Sequence, residues 1–267
     1  MKKLILTAFT AMALISCKNE NKSTEESASE TEGMAMTEDS KTVETEFNIT
    51  PIEHATAVFD FGDSVFYIDP VGGAEAFEGQ PDPDVILVTD IHGDHLNEET
   101  LAAVAVSSTT IFAPQAVVDA LKTDLKNQVT IINNDETKNW DGYSLTAIPM
   151  YNLREEAKQF HTKGRGNGYV LEKNGLRVYF SGDTEDIPEM RNLKDIDKAF
   201  ICMNLPYTMT VASAADGVIA FKPKEVYPYH FRGQDGLSDV EKFKGIVDSA
   251  NIGTEVIFLD WYPNGAE

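Results

Sequence analysis

The chain has 267 residues, of which 22 are Lys or Arg and 44 are Asp or Glu, so its formal net charge is −22 at pH 7. This length supplies one large domain or two small ones, and the acidity argues against nucleic acid as a partner because binding a polyanion relies on Lys and Arg. Two cysteines exclude a disulfide scaffold and a four-cysteine zinc module, so any metal must be held by His and carboxylates.

The N-terminal segment has the pattern of a targeting sequence. Two lysines precede an apolar stretch, residues 4–15, that is too short to span a bilayer. Cys17 follows the stretch in the run Leu-Ile-Ser-Cys, which resembles the signal of bacterial lipoproteins. The resemblance implies removal of residues 1–16 and lipidation of Cys17. Because Lys18 is not Asp, it also implies anchoring to the outer membrane of the bacterial cell envelope, on either face. An ordinary secretory signal is the alternative.

Residues 17–46 are predicted to be the lipidated Cys17 followed by a disordered, acidic tether. Residues 18–46 contain nine acidic residues and three Lys but only five apolar residues. Such a segment cannot bury enough apolar surface to offset the entropy lost on ordering. No transmembrane helix is predicted in the chain. We therefore expect the tether to hold a globular domain, residues 47–267, away from the lipid surface.

The globular domain begins with a predicted β-hairpin, residues 56–61 and 64–69 around a Gly62-Asp63 turn. Residues 85–89 form a continuous apolar run, typical of a strand buried on both faces, and a helix is predicted over residues 97–106. Early hairpins followed by strand–helix alternation predict an α/β (α+β) domain with two mixed β-sheets covered by helices. Further strands are predicted at residues 111–112, 129–132, 143–150, 168–172, 176–181, 199–203, 225–229 and 256–259, and further helices after Pro114 and at residues 211–221 and 238–250.

Side chains that bind metals follow the buried strand at residues 85–89. Asp90, His92, Asp94 and His95 lie within six residues, and Gly93 allows a tight turn that aims them at one point. Imidazole and carboxylate ligands together suit Zn, Mn or Fe better than Ca or Mg. The alternative is a polar, solvated loop with two surface histidines.

Three more candidate ligands lie at the ends of predicted strands or beside glycines. His161 precedes a glycine-rich loop at residues 163–168, Asp183 follows Gly182, and His230 follows the strand at residues 225–229. Four of the five histidines therefore occupy positions suited to one shared site.

The candidate ligands carry a family resemblance. The series Asp90-x-His92-x-Asp94-His95, followed by His161, Asp183 and His230, resembles the signature His-x-His-x-Asp-His and the downstream ligands of the metallo-β-lactamase fold hydrolases. The resemblance runs through the whole domain and implies a four-layer αββα sandwich of two mixed sheets flanked by helices. Within that superfamily the chain is most similar to the branch of ascorbate-phosphate lactonases and N-acylphosphatidylethanolamine phospholipase D. That placement rests on His54-Ala55, Tyr151-Asn152, residues 181–184 and Tyr207-Thr208-Met209.

The resemblance also implies two divalent metal ions, with zinc as the first choice and Mn or Fe as alternatives. A hydroxide held between the ions would be the nucleophile, since a bound divalent cation brings the pKa of water close to neutrality. Asp94 would orient that hydroxide or pass its proton to the leaving group. Site one would consist of Asp90, His92 and His161, site two of Asp94, His95 and His230, and Asp183 would bridge them.

Two positions depart from the family pattern. Asp90 stands where the family usually has His, and this harder ligand could favour Mn or Fe, weaken site one or leave a single ion. Alternatively, Asp90 accepts a hydrogen bond that orients His92 or His161. Asp183 stands where many β-lactam-cleaving enzymes have Cys. Cys202 cannot replace that residue because it lies in an apolar run and is predicted to be a buried, small hydrophobe, so antibiotic hydrolysis is not expected.

Substrate-binding residues are predicted beside the ligands. Lys163 and Arg165 alternate with glycines after His161, and they either hold an anionic group near the metals or belong to a flexible, solvated loop. His54 is interpreted as a structural or orienting histidine outside the ligand set. Four residues beside predicted ligands either line the pocket or belong to strand edges and turns: Tyr151, Asn152, Tyr207 and Arg232.

The resemblance and the residues together predict a lipid-anchored, metal-dependent hydrolase that cleaves an ester, lactone or phosphodiester bond in a small molecule. One alternative is a mononuclear iron oxidoreductase of the same fold, like the sulfur dioxygenases. Another is a non-catalytic surface module that binds metal. Metal content would separate the first two, because one iron per chain favours the oxidoreductase and two Zn or Mn favour hydrolysis.

Overall fold

The protein is described here by a computed structural model that covers residues 45–263 and Gly265. The predicted signal segment, Cys17 and the tether up to residue 44 lie outside the described residues, so the predictions made for them stay predictions. Within residues 45–263, no helix combines the length and the apolar composition that crossing a membrane requires.

The first sheet has six strands that lie side by side in chain order. The first three strands pair antiparallel, and the third to the sixth pair parallel, so the sheet is mixed. The turn between the second and third strands contains Gly62, whose φ of 65° is a left-handed conformation that favours glycine. The strands are β1 (Phe47–Glu53), β2 (Thr56–Phe61), β3 (Ser64–Ile68), β4 (Val85–Leu87), β5 (Thr110–Ala113) and β6 (Val129–Ile131).

Alternate side chains of the first sheet face two different cores, as the period of a β-strand requires. Phe59 faces the second sheet, whereas its neighbour Val58 packs against the helical layer formed by α1 (Glu98–Val104) and α2 (Gln115–Ala120). The N-cap of α1 is Asn97, whose side chain accepts a hydrogen bond from a backbone N–H in the first turn.

The second sheet has seven strands and is also mixed. The sheet strands are β7 (Thr137–Trp140), β8 (Tyr143–Met150), β9 (Gly166–Lys173), β10 (Leu176–Phe180), β11 (Lys198–Ile201), β12 (Glu225–Pro228) and β15 (Glu255–Val256). Their order in the sheet is β15-β12-β11-β10-β9-β8-β7, in which β7 to β10 pair antiparallel and β10, β11, β12 and β15 pair parallel. Two short strands, β13 (Arg232–Gly233) and β14 (Gly236–Leu237), form a separate ribbon.

The two sheets pack face to face, with helices on both outer faces. Phe180 of β10 stacks on Phe59 of β2, with ring centroids 5.2 Å apart. The preceding residue of β10, Tyr179, faces the opposite way and contacts Phe221. Phe221 belongs to the helical layer made of α3 (Pro188–Arg191), α4 (Val211–Phe221) and α5 (Val240–Ser249). The predicted arrangement of two mixed sheets between helices is confirmed.

Some elements differ from those predicted. The strand predicted at residues 256–259 is wrong in extent, because β15 ends at Val256; Ile257 and Leu259 after it pack against the core, and Phe258 is exposed. The pattern does not predict β1, β7 or α3. The side chains of β1 and β7 are at most half-buried, so these edge strands lack the apolar runs that mark the others.

Candidate metal centre

The predicted ligands meet where strands of both sheets end. Asp90 to His95 follow β4 of the first sheet, Asp183 follows β10 and His230 follows β12 of the second sheet, and His161 precedes β9. The carboxyl ends of β4, β10 and β12 therefore lie at one edge of the sandwich, where side chains from distant parts of the chain converge. All seven predicted ligands belong to this cluster, and their role as ligands stays a prediction.

Site two is the deeper part of the cluster. The Nε2 atoms of His95 and His230 are 3.0 Å apart. Asp183 lies against both rings, with Oδ2 at 3.3 Å from His95 Nε2 and Oδ1 at 3.2 Å from His230 Nε2. Asp94 Oδ2 is 3.4 Å from His230 Nε2. His95, Asp183 and His230 thus form one buried group of donors, and Asp94 contacts it through His230.

The donor set of site two fits a divalent metal ion. Tetrahedral zinc binds imidazole nitrogen at about 2.0–2.1 Å, which spaces neighbouring donors by roughly 3.3 Å. The spacings between donors of site two fall close to that value. Asp183 Oδ1 and the Nε2 atom of His161 are buried without a hydrogen-bond partner among the described residues, which a protein rarely tolerates unless a ligand satisfies them.

Asp69 fixes the orientation of His95. Its Oδ2 atom accepts a hydrogen bond from His95 Nδ1 at 2.8 Å, so the Nε2 lone pair of His95 points into the centre. The same carboxylate accepts the backbone N–H and the hydroxyl of Thr89, both at 2.7 Å. The sequence pattern does not single out Asp69 as a site residue. Its only signal is its place beside Pro70, at the end of a predicted strand.

Backbone and amide groups hold His161 in the same way. His161 Nδ1 lies 3.2 Å from the carbonyl oxygen of Tyr207 and donates to it, which leaves Nε2 facing Asp183 Oδ2 at 3.0 Å. The side chain of Asn152 donates to the Tyr207 carbonyl at 2.6 Å and lies beside the imidazole. Asn152 and Tyr207, both predicted to bind substrate, therefore also position this ring.

His54 lies beside Asp94 and His230, and the three side chains form a further group of candidate donors. The hydroxyl of Tyr262 accepts from two backbone N–H groups at 3.0 Å each, so its own proton is donated to His54 Nδ1 at 2.9 Å. The proton of His54 is therefore on Nε2, which faces Asp94 Oδ2 at 3.5 Å. Burial, with the neighbouring His230, lowers the pKa of His54 to about 4. A neutral, donating His54 orients Asp94, as interpreted from the sequence.

Charge in site two is balanced inside the cluster. Burial by itself raises the pKa of Asp183, but His230, His95 and His161 around it hold that pKa well below the usual value. Burial by itself lowers the pKa of His95, but Asp183 and Asp69 outweigh it and hold the pKa well above the usual value. The carboxylates thus attract positive charge strongly, which is the property that a cation site needs.

Site one contains a residue that the family pattern does not place there. Arg165 donates from Nε to Asp90 Oδ1 at 2.9 Å and from Nη2 to Asp90 Oδ2 at 2.7 Å. His92 Nδ1 also contacts Asp90 Oδ2, at 3.0 Å. Burial by itself raises the pKa of Asp90, but the hydrogen bonds from His92 and Arg165 lower it below the usual value. Asp90 therefore remains a carboxylate paired with a guanidinium.

A cavity of about 330 Å³ opens onto the cluster. Asp94, His92, His161 and Asp183 form its polar wall, and its remaining lining residues are Phe160, Asn204 and Tyr207. Phe160 and Tyr207 meet edge to face, with ring centroids 5.2 Å apart. Tyr207 therefore lies where substrate binding was predicted. Phe160 and Asn204 are lining residues that the sequence pattern does not reveal, because nothing local distinguishes them from other loop residues.

The other predicted substrate residues lie elsewhere. Asn152 and Lys163 line a neighbouring cavity of about 390 Å³ that shares His161 with the first. Lys163 pairs with Glu189 and is exposed. Arg165 lies in site one, beside Asp90, and is not among the residues that line either cavity.

Comparison with known proteins identifies the family. Residues 48–230 match the family model described as the beta-lactamase superfamily domain. A UPF0173 metal-dependent hydrolase of Pyrococcus horikoshii is 30% identical over 202 residues, which are 72% of this chain and 88% of that protein. The chain belongs to the metallo-β-lactamase superfamily of metal-dependent hydrolases.

Solved structures of similar proteins have the same fold as this hydrolase. A metal-dependent hydrolase of Parabacteroides distasonis is 35% identical with a TM-score of 0.71, over 80% of this chain and 93% of that chain. Igni18, a metallo hydrolase of Ignicoccus hospitalis, is 21% identical with a TM-score of 0.66, over 79% of this chain and 94% of that chain. At that identity the likeness to Igni18 concerns the fold alone. The predicted superfamily is confirmed, and the lactonase and phospholipase branch stays a prediction.

Cys202 of this hydrolase lies in the core beneath the site. Its side chain is fully buried, and burial raises the pKa of its thiol to about 12. The Sγ atom lies 3.5 Å from the carbonyl oxygen of Thr184. Cys202 is thus the buried, small hydrophobe that the sequence predicts, and Asp183, not Cys202, lies in the group of candidate ligands.

Proposed function

We propose that this chain hydrolyses an ester, lactone or phosphodiester bond of a small molecule, using a divalent metal ion at site two. The observation that carries the proposal is the convergence of His95, Asp183 and His230 with the spacing of zinc ligands, next to a cavity that Asp183 lines. Zinc is proposed first because imidazole and carboxylate donors in near-tetrahedral spacing are its usual ligands. Mn and Fe are the alternatives to test.

The proposed chemistry divides between the ion and the residues. When bound, the ion lowers the pKa of a water molecule and polarises the bond that is cleaved. Asp94 is 43% exposed and lines the cavity, so it can accept the proton of that water and pass it to the leaving group. His54 holds the carboxylate of Asp94 in place from behind.

The cavity favours a small substrate with an apolar part. Its volume of about 330 Å³ is at the low end of small-molecule sites, and Phe160 and Tyr207 offer it an aromatic wall. None of its described lining residues is Lys or Arg. An ester or lactone without net charge is therefore the first substrate class to test, with phosphodiesters second.

The iron oxidoreductase is not the favoured alternative. The relative that is 30% identical and the solved structure that is 35% identical are both described as metal-dependent hydrolases. The two imidazoles and one carboxylate of site two suit zinc and also form the ligand set of non-heme iron oxygenases, so the descriptions of the relatives, and not the donor set, favour hydrolysis.

Hydrolysis can be tested with purified protein that has been stripped of metal and reloaded with zinc. We expect turnover in a panel of nitrophenyl esters, lactones and bis-nitrophenyl phosphate, loss of turnover with a chelator, and recovery with added zinc. Elemental analysis identifies the metal acquired during expression. No detectable turnover of any of the three substrate classes by zinc-bound protein would overturn the proposal and favour a non-catalytic module.

We also propose that Cys17 anchors the hydrolase to the bacterial cell envelope, most simply to the outer membrane. The support is the basic start, the short apolar stretch and the run that ends at Cys17. Labelling with a fatty-acid analogue should modify the wild type and not the variant Cys17→Ser, and the wild type should fractionate with membranes. A wild type that remains unlabelled would contradict the anchor and leave the hydrolase proposal intact.

A further inference from the structure

The carboxylate of Asp90 is engaged by Arg165 through both of its oxygens. Both oxygens of Asp90 accept from the guanidinium, and Nη2 also donates to the carbonyl oxygen of Phe160 at 2.6 Å. The carboxylate of Asp90 is fully buried, and Arg165 is only 17% exposed. A fork-to-fork pair of this kind holds both planes in a fixed geometry.

The backbone on each side of Arg165 is suited to that position. Gly164 has a φ of 91°, which favours glycine. At Gly166 a Cβ atom would lie 2.8 Å from the carbonyl oxygen of Thr89, so only glycine allows the approach. The N–H of Asn167 donates to the same carbonyl at 2.9 Å. The loop is thus bonded to the residue directly before Asp90, which argues against a flexible, solvated loop.

His92 is engaged by the same two residues. Its Nδ1 atom lies 3.0 Å from Asp90 Oδ2 and donates to this carboxylate. Its Nε2 atom then carries the lone pair and lies 3.4 Å from Arg165 Nη2, whose two hydrogens are directed mainly at Asp90 Oδ2 and the Phe160 carbonyl. An ion on that nitrogen would displace this contact and meet a second positive charge directly, which costs Coulomb energy in a partly buried site.

Site one therefore does not fit a metal ion as site two does. Asp90 is paired with Arg165, His92 Nε2 lies beside the guanidinium, and the remaining donor, His161 Nε2, is 4.0 Å from Asp90 Oδ2 but 3.0 Å from Asp183 Oδ2. In site two the facing donor atoms of His95, Asp183 and His230 lie 3.0–3.3 Å apart, and no Lys or Arg is paired with them among the described residues.

We propose that the guanidinium of Arg165 replaces the ion of site one, so that the protein binds one divalent ion, at site two. The inference rests on the proposed function, which assigns an ion to site two. Arg165 is then a positioning residue, because it holds Asp90 and through it His92, whose ring lines the cavity. It takes the place of the second ion expected from the family resemblance.

The number of bound ions tests this proposal. Metal-free full-length protein is incubated with excess zinc, desalted and measured for zinc per chain. We expect one ion in the wild type and two in Arg165→Gln, because Asp90, His92 and His161 are then released as ligands. Lys163→Gln removes the same charge two residues away, where the exposed ammonium pairs with Glu189, and should stay at one ion.

Each outcome bears on one proposal or the other. Two ions in the wild type would overturn the replacement by Arg165 and leave hydrolysis at site two standing. One ion in both the wild type and Arg165→Gln would also overturn it, since the arginine would then not be what excludes the ion. No bound ion in the wild type would overturn both proposals.

A second measurement covers the case in which Arg165→Gln does not fold. The wild type is loaded with Mn²⁺ and examined by electron paramagnetic resonance. We expect the signal of an isolated ion, whereas a spin-coupled pair would show that site one is filled and would overturn the proposal.

Discussion

The two halves of the ligand cluster differ in how their buried charges are paired. In site two, carboxylates and imidazoles face one another, and Asp183 Oδ1 has no hydrogen-bond partner among the described residues, nor does the Nε2 atom of His161 that faces Asp183. In site one, Asp90 has its counter-charge built in, because Arg165 occupies both of its oxygens. Site two thus presents buried donor atoms to a cation, whereas the buried carboxylate of site one is already paired with a cationic side chain.

This difference shows how one substitution can change a site without changing the fold. Where the family usually has a His, Asp90 brings a negative charge into a fully buried position, and a buried carboxylate must be paired. Arg165 supplies the pair from a loop whose glycines bring it close. The strands that carry both halves keep the architecture of the superfamily.

The largest expected effect comes from removing Asp94, which belongs to site two and lines the cavity. Asp94→Ala should lower kcat by about 10²- to 10⁴-fold, the usual contribution of a general acid–base group, because the proton of the attacking water loses its acceptor. Asp82→Ala, at an exposed position before β4, is the matched control and should keep full activity. Substantial turnover by a folded Asp94→Ala protein would show that site two is not where the chemistry occurs.

Removing Arg165 tests the other half through stability. In metal-free protein Arg165→Gln should lower the free energy of unfolding by about 3 kcal/mol, because a buried carboxylate loses its partner. Added zinc should restore more stability to this variant than to the wild type, since the ion replaces the guanidinium. Urea unfolding with and without zinc measures both. Equal gains from zinc in the two proteins would contradict the contrast drawn between the sites.

A smaller effect is expected from Asp69, which orients His95 in site two. Asp69→Asn should weaken zinc binding by about 10- to 100-fold, as loss of a carboxylate behind a ligating histidine commonly does. Competition with a chromogenic chelator gives the affinity. Unchanged zinc affinity in the folded variant would mean that the hydrogen bond from His95 to Asp69 does not support metal binding.

The smallest effect is expected at Lys163, two residues from Arg165 in the same loop. Its ammonium is 57% exposed and pairs with Glu189 at the surface, and exposed ion pairs contribute little. Lys163→Gln should leave the urea midpoint and the zinc affinity unchanged within error. A clear loss of either would show that charge in this loop, rather than the geometry of Arg165, controls site one.

Much of the fold follows from local patterns in the sequence. Apolar runs mark the inner strands. The buried run at residues 85–89 contains β4, and Asp90, His92, Asp94 and His95 follow it at the strand end. Edge strands such as β1 and β7 escape prediction because their side chains are at most half-buried, so no strong apolar period marks them.

The contacts across the site are much less visible in the sequence. Arg165 and Asp90 are 75 residues apart in the sequence. A glycine-flanked arginine is equally consistent with a solvated base and with a group that holds an anion. Asp69 looks like an ordinary strand end until the structure places it 2.8 Å behind His95. Such roles depend on which loops meet at the edge of the sandwich, and tertiary packing decides that.

The donors of site two come from both sheets, with His95 and His230 separated by 135 residues of chain. No fragment that contains a single sheet can assemble them, and an unfolded chain has no preformed set. An ion that binds only the native state stabilises it by mass action, by about 4 kcal/mol when free metal exceeds its dissociation constant a thousandfold. The unfolding temperature of this hydrolase should therefore rise with zinc concentration, so that metal supply sets the lifetime of the folded protein as well as its activity.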